Sequence, residues 1–414
     1  MHVLGSGIGA RSLIVVVAMC LALGCGADDG SDSGANGTAQ DALRGDLSGP
    51  NGVKRQLLES VSENVIIPAL VEFAESATAL QTAAETYASD PSETHLTAAQ
   101  NAWREAMKSW QRVEVMQIGP AGMMGEVLGG DDRRDEIYSW PVTNACRIDQ
   151  ETLEDAHKKP AELEQEGVNT RGLDAIEYLL FHPPEGNACK INSAINAEGT
   201  WESMEGEITS RQSRYAAVAA QLVVEQAESL LARWTKDGGN YAAMLKEAGS
   251  GSLVYGSLQE GLNAVSDAMF YVEKTMKDRK LGEPLGFIDC ELDTCPDALE
   301  HRYALMSKEA ALANLEGFKE LFHGGNDAEL SVGFDDLLRA YGADELAAQM
   351  DERLNAAIAA LEDVPTSFKS ALATDIERLE AAYSATKDFT DLFKTQFMSV
   401  LDLEIPQRAA SDND

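Results

Sequence analysis

The chain has 414 residues, with 69 Asp and Glu against 33 Lys and Arg and a formal net charge of −36. So large an acidic excess, with no basic patch to offset it, excludes nucleic acid and anionic lipid surfaces as partners and favours the gathering of cations. Apolar residues make up 44% of the chain, enough at this length for two modest cores.

The N-terminus resembles an export signal. Arg11 gives a weakly positive start, and the apolar run from Ser12 through Met19 and beyond is too short for a good membrane span. It ends in Ala22-Leu23-Gly24-Cys25, a bacterial lipobox pattern. Residues 1–24 therefore read as a lipoprotein signal peptide and Cys25 as the lipidated residue, which anchors a protein to a membrane without spanning it. Gly26 rather than Asp after that cysteine favours the periplasmic face of an outer membrane. Residues 25–52 are rich in Gly, Ser, Asp and Asn without an apolar period, and read as a flexible tether.

Beyond the tether nearly everything reads as helix, because Ala, Leu, Glu and Gln dominate and β-type alternation is rare. The pattern predicts long helices at 53–89, 92–117, 200–236, 252–280, 297–323, 343–363 and 367–400. Pro68 should kink the first, and Ser92 is placed to cap the second. The segment 118–200 is different. Gly129-Gly130, Trp140-Pro141, Pro183-Pro184 and two cysteines mark it as a long irregular connection with one short helix at 171–181. The predicted fold is all-α: a first antiparallel bundle over 53–280 that includes the 118–200 excursion, a connecting loop at 281–296, a second bundle over 297–401, and a tail at 402–414.

Four cysteines follow Cys25. Their even number in an exported chain suggests two disulfides, of which three pairings exist. The proximity of Cys290 and Cys295 favours that pair, leaving Cys146 with Cys189 to bracket the 171–181 helix. Zinc ligation is the rival reading, disfavoured because no Cys-x-x-Cys is present.

The most informative stretch is Gly172-Leu173-Asp174-Ala175-Ile176-Glu177-Tyr178-Leu179-Leu180-Phe181. Its apolar residues recur at helical spacing, and Asp174 and Glu177, three apart, share a helical face. Carboxylates inside so apolar a helix need a cation, a metal or hydrogen-bond donors. A buried arginine (Arg104, Arg112 or Arg147) bracing one of these acids is the alternative to a metal. Trp103 and Trp110 read as core.

At this point the chain resembles the imelysin family, from about residue 60 to 395. The resemblance rests on Ala102-Trp103-Arg104 through Trp110-Gln111 to Gly119-Pro120, Trp140-Pro141 with Cys146-Arg147-Ile148-Asp149, Lys280-Leu281-Gly282 with Pro284-Leu285-Gly286, and Glu300 with Asn314-Leu315-Glu316-Gly317 through Phe322 and Gly325. It implies two helical bundles, a place in the periplasm or at an envelope membrane, and a link to iron uptake; some relatives are described as metal-dependent proteases. The family hallmark is Gly-x-His-x-x-Glu. Gly172, Asp174 and Glu177 match its frame, with Asp174 where His is expected. Carboxylates suit harder cations, including ferric iron.

No His-Glu-x-x-His helix supports zincin-type hydrolysis. Asp174 and Glu177 are the leading metal ligands, with Glu300, His301, Glu114 and His182 as weaker candidates, and Tyr178 is either an iron ligand or a hydrogen-bond donor. The first expectation is a non-catalytic, lipid-anchored protein that binds iron or an iron complex, with envelope iron-transport proteins as candidate partners. A metallopeptidase using Glu177 as general base is the second, and a metal-free envelope interaction protein the third.

Overall fold

The computed structural model describes residues 49–406, apart from 156, 157, 159, 198 and 328. The signal peptide, Cys25, the tether up to residue 48 and the end of the tail from 407 lie outside the described residues. The described residues form helices and loops with no strand among them.

The first helix (α1) runs without interruption through Pro50–Ser60, Val61–Ile66 and Ile67–Ser89. It starts at Pro50, within the expected tether, because a proline's missing N–H costs nothing in a first turn. Pro68 does not break it. The turns just before the proline widen into π-helix over Val61–Ile66, which accommodates the missing donor and the ring. Ser92 caps the next helix, α2 (Glu93–Glu114), by accepting from His95 N–H. The three-residue break makes α1 and α2 antiparallel neighbours, and α4 (Glu205–Trp234) packs along α1. Between α2 and α4 sits the short α3 (Gly172–Phe181), within a connection that also holds short helices at Arg133–Ile137 and Ala145–Leu153.

The expected 252–280 helix is two elements: α5 (Leu258–Met269) and α6 (Val272–Gly282), the latter π-helical. The expected 297–323 helix begins only at Ser307, as α7 (Ser307–His323). α8 (Asp344–Glu362) packs on α9 (Ile376–Leu392), which continues through Phe393–Phe397 to Met398–Val400. The expected 367–400 helix is interrupted at Asp375, after Phe368–Thr374. Apolar side chains from Val53 to Leu403 form one large core that includes the fully buried Trp103 and Trp110, and Ile195, Trp201 and Ile208 form a small separate cluster. Two disulfides close loops, Cys146–Cys189 and Cys290–Cys295. Among the described residues no helix is long and apolar enough to cross a membrane.

α7 lies close against α2. A Cβ on Gly317 would stand 2.5 Å from the Arg112 carbonyl oxygen, so only glycine permits this approach. One turn earlier, Asn314 donates to the Gln111 carbonyl (2.7 Å). That contact fixes the register in which α2 and α7 present their polar residues to each other.

Candidate functional site

α3 is apolar all round, and every residue from Gly172 to Leu180 is buried. A helix of that kind leaves its acids no path to water. Gly172 opens it with a φ of +85°, and a Cβ there would meet the Ile137 carbonyl oxygen at 2.7 Å. Trp103 of α2 donates from its indole nitrogen to the Leu173 carbonyl (2.8 Å), pinning the first turn.

The two acids of α3 have different partners. Asp174 Oδ2 accepts from the Ser139 and Thr143 hydroxyls, both at 2.7 Å, and Oδ1 from Ser139 N–H at 3.3 Å. Burial pushes its carboxyl up, and these hydrogen bonds oppose the rise. Glu177 Oε1 accepts from the backbone N–H of Tyr303 (3.1 Å) and Ala304 (3.0 Å). These N–H groups turn inward to the carboxylate, and Leu305 takes a φ of +57°, which explains why α7 starts ten residues later than its apolar pattern suggests.

Glu177 Oε2 stands 3.0 Å from His301 Nδ1. A carboxylate only accepts, so that nitrogen carries the proton. The opposite nitrogen, Nε2, is 3.6 Å from Glu300 Oε2. Glu300 Oε1 accepts from Lys280 (2.8 Å), Tyr138 (2.9 Å) and Gln111 (3.0 Å). Lys280 donates also to Gln111 Oε1 (2.5 Å) and Asn314 Oδ1 (2.9 Å), and lies 3.6 Å from Glu114 Oε2. Arg134 closes the series, donating to Glu114 Oε1 from two nitrogens at 2.7 and 3.2 Å. Lys280, Glu114, Glu300 and His301 have no exposed side-chain surface.

Three carboxylates thus face two permanent cations, and a protonated His301 would complete the balance. Burial disfavours that charge, but Glu300 and Glu177 outweigh it and hold His301 above its usual range. Burial alone would raise Glu300; Lys280 and His301 carry it below its usual value instead. Burial, followed by the charges of Glu300 and Glu114, pushes the Tyr138 phenol well up. Three buried atoms of the cluster have no hydrogen-bond partner within 3.5 Å: Glu300 Oε2 and His301 Nε2, which face each other at 3.6 Å, and Glu114 Oε2, which lies 3.6 Å from Lys280 with the Tyr271 hydroxyl nearby. Among the described residues no three His, Cys, Asp or Glu side chains already stand around a common point suited to an ion. Arg134, Trp140 and Tyr271 separate the cluster from a surface cleft of about 530 Å³.

Of the residues singled out in the sequence, Glu177, His301, Glu300 and Glu114 therefore fall on one connected series. Asp174 lies one helical turn away, on its own hydroxyl partners. His182 stands apart, stacked on Tyr178 with ring centroids 4.6 Å away. Tyr178 donates to both oxygens of Asp149, at 3.0 and 2.9 Å. None of the three arginines braces an α3 acid: Arg104 lies over the Phe181 ring, Arg112 pairs with Glu72 and Glu320, and Arg147 with Glu151 and Glu166. Lys280, Gln111, Asn314, Tyr138 and Arg134 were not expected in the cluster. The first three sit inside the segments that carry the family resemblance, which was the available signal.

Comparison with known proteins agrees with that resemblance. The family model described as imelysin (peptidase M75) matches residues 66–395. Iron-regulated protein A of Synechococcus elongatus is 25% identical over 324 residues, covering 78% of this chain and 79% of that protein. Two crystal structures share the fold at 16% identity. One, a putative iron-regulated protein A precursor from Parabacteroides distasonis, has a TM-score of 0.67 over 85% of this chain and 95% of its own. The other, an imelysin-like protein from Psychrobacter arcticum, has a TM-score of 0.65 over 85% and 96%. With its buried Gly-x-Asp-x-x-Glu helix, its all-α architecture and a family match over most of its length, this chain belongs to the imelysin family.

Proposed function

We propose that the protein is a non-catalytic, lipid-anchored component of iron uptake at the cell envelope, binding iron or an iron complex where α3 meets α2, α6 and α7. The observation that carries this reading is a set of three buried atoms held only by ion-pair contacts of 3.6 Å, Glu114 Oε2, Glu300 Oε2 and His301 Nε2. Buried polar atoms are nearly always satisfied, so three on one cluster mark a place for a further partner. Two carboxylate oxygens, with the imidazole nitrogen once it has released its proton to the entering metal, are a donor set suited to iron. Glu177 orients His301, as a ligating histidine requires from its other nitrogen, and Asp174 adds oxygen donors one turn away. Lys280 is the cation that holds Glu114 and Glu300, and it has to give way when a metal enters. The name of the Synechococcus relative supports the link to iron, and the Leu23-Gly24-Cys25 lipobox supports the anchor.

Both oxygens of Glu177 are committed to His301, Tyr303 and Ala304. That supports binding over hydrolysis, since a general base must turn an oxygen to water. Calorimetric titration of ferrous and ferric iron into the soluble form tests the proposal. Wild type should bind, Glu114→Gln/Glu300→Gln should lose most of the affinity, and Asp174→Ala/Glu177→Ala should weaken it. Equal binding by all three proteins removes the site. A peptide-library digest should show no chelator-sensitive cleavage; such cleavage would restore the peptidase reading.

A further inference from the structure

A second groove, of about 730 Å³, adjoins the cleft beside the cluster, sharing Gln117 and Glu126 with it, and runs along α5. The helix lines it with Glu260, Asn263, Ala264, Asp267 and Ala268, of which Asn263 and Ala268 lie buried at its floor. These positions follow the i, i+3, i+4, i+7, i+8 pattern of a single helical stripe. The two alanines leave the stripe shallow, so that another element can approach α5 closely. One wall is the 125–128 loop, held where the Tyr241 hydroxyl donates to the Leu128 carbonyl (2.6 Å). The other is the 404–406 segment, held where Glu404 N–H donates to Asn263 Oδ1 (3.3 Å). Each wall carries an apolar side chain standing out toward solvent: Leu128 is 54% exposed and Ile405 51%.

Charge identifies the occupant. The charged residues that line the groove, Glu126, Glu260, Asp267 and Glu404, are all acidic. An anionic lipid surface would be repelled, and so would a second copy of this acidic chain. We propose that the groove docks a basic amphipathic helix of another protein. Its apolar side chains would fill the space over Ala264 between Leu128 and Ile405, while Lys or Arg on its flanks face the four acids. This is the helix-in-groove mode of recognition, with small residues on the receptor and large ones on the ligand. The assignment is independent of iron binding, since none of these residues belongs to the buried cluster.

The test uses a fluorescent helical peptide of about 14 residues, roughly 20 Å long, with leucines on one face and lysines on the other, followed by anisotropy. A peptide of the same composition in scrambled order controls for general attraction to an acidic protein. The amphipathic peptide should bind at least about tenfold more tightly than the scrambled one. Ala264→Trp, which fills the groove without changing its charge, should remove that advantage. Leu128→Ser/Ile405→Ser, at exposed positions and again charge-neutral, should reduce it in a protein whose thermal midpoint is unchanged. Equal binding of the two peptides, or no effect of either substitution, overturns the proposal. So does dimerisation of the free protein that Ala264→Trp abolishes, which would make a second copy the occupant. Peptide binding that appears only after deletion of residues 407–414 would make the chain's own tail the occupant, and overturns it as well.

Discussion

Lys280→Met is the sharpest perturbation of the buried cluster. Methionine keeps an unbranched chain of similar reach but deletes the ammonium bound to Glu300 at 2.8 Å, Gln111 at 2.5 Å and Asn314 at 2.9 Å. Glu300 is then left with neutral partners and His301, and Glu114 with Arg134 and the Tyr271 hydroxyl. Removing one member of a buried ion pair costs about 3–5 kcal/mol, because the remaining charge stays desolvated. A folded part of this size gains roughly 0.7 kcal/mol per kelvin of unfolding entropy, so the thermal midpoint should drop by about 4–7 °C at pH 7. The pH dependence has a definite sign. In wild type the Glu300 pKa is depressed below 4.5. Its contribution is therefore present above 4.5 and lost as pH falls through the lowered value. Without Lys280 burial dominates, the carboxyl is raised instead, and the deficit shrinks as the pH is lowered. Circular-dichroism melts of Lys280→Met, Glu300→Gln and the double variant close a thermodynamic cycle. The double variant should recover about 2 kcal/mol of the summed losses. A Lys280→Met deficit under about 1 kcal/mol, or strict additivity, would refute the reading of a coupled buried pair.

Burial carries Asp149 from 3.8 to about 7, against hydrogen bonds from Ala188 and Tyr178. A carboxyl raised in the folded state stabilises it below 3.8 and forfeits that through 7, so this group should lower stability by about 3 kcal/mol between pH 5 and 8. Asp149→Asn should flatten that slope in urea titrations, and an unchanged slope contradicts the assignment. Replacing Cys146 and Cys189 with alanine opens a loop with a sequence separation of 43, against 5 for Cys290–Cys295. Chain entropy gives losses of about 4 and about 2 kcal/mol respectively, and non-reducing urea midpoints should fall in that order. Gly172→Ala meets both the positive φ and the Ile137 carbonyl. It should cost at least about 2 kcal/mol and, if the proposed iron site holds, lower iron affinity more than an alanine placed at exposed Gly206.

The long helices were legible because apolar spacing and local caps such as Ser92 act within a few residues of themselves. The Gly172–Phe181 helix was legible for the opposite reason: two acids in an apolar run break the local rule. What could not be read is the neighbourhood each acid finds. Lys280 sits in a run with Lys274, Lys277 and Arg279 that has the composition of a solvated face, yet Lys277 and Lys280 are fully buried. Its partner Gln111 is 169 residues away, and only the Lys280 side chain reaching from α6 to Gln111 of α2 and Asn314 of α7 makes a lysine there sensible. The delayed start of α7 was equally hidden, since the backbone donors of Tyr303 and Ala304 go to Glu177, whose position the local sequence does not encode. The disulfides could be ranked from spacing and compartment alone, and both favoured pairs are the ones formed.

The widened coil at Val272–Gly282 makes the cluster sensitive to chain length as well as to side-chain chemistry. Bonds reaching five residues back hold more chain per turn than an ordinary helix does. Dropping a single residue at the outward-facing Lys274-Thr275 edge would let the coil tighten, and would swing the ammonium of position 280 by about 100° around the axis. Among related chains, a one-residue gap in this stretch would therefore mark a rewired interior even where every acid of the site was retained.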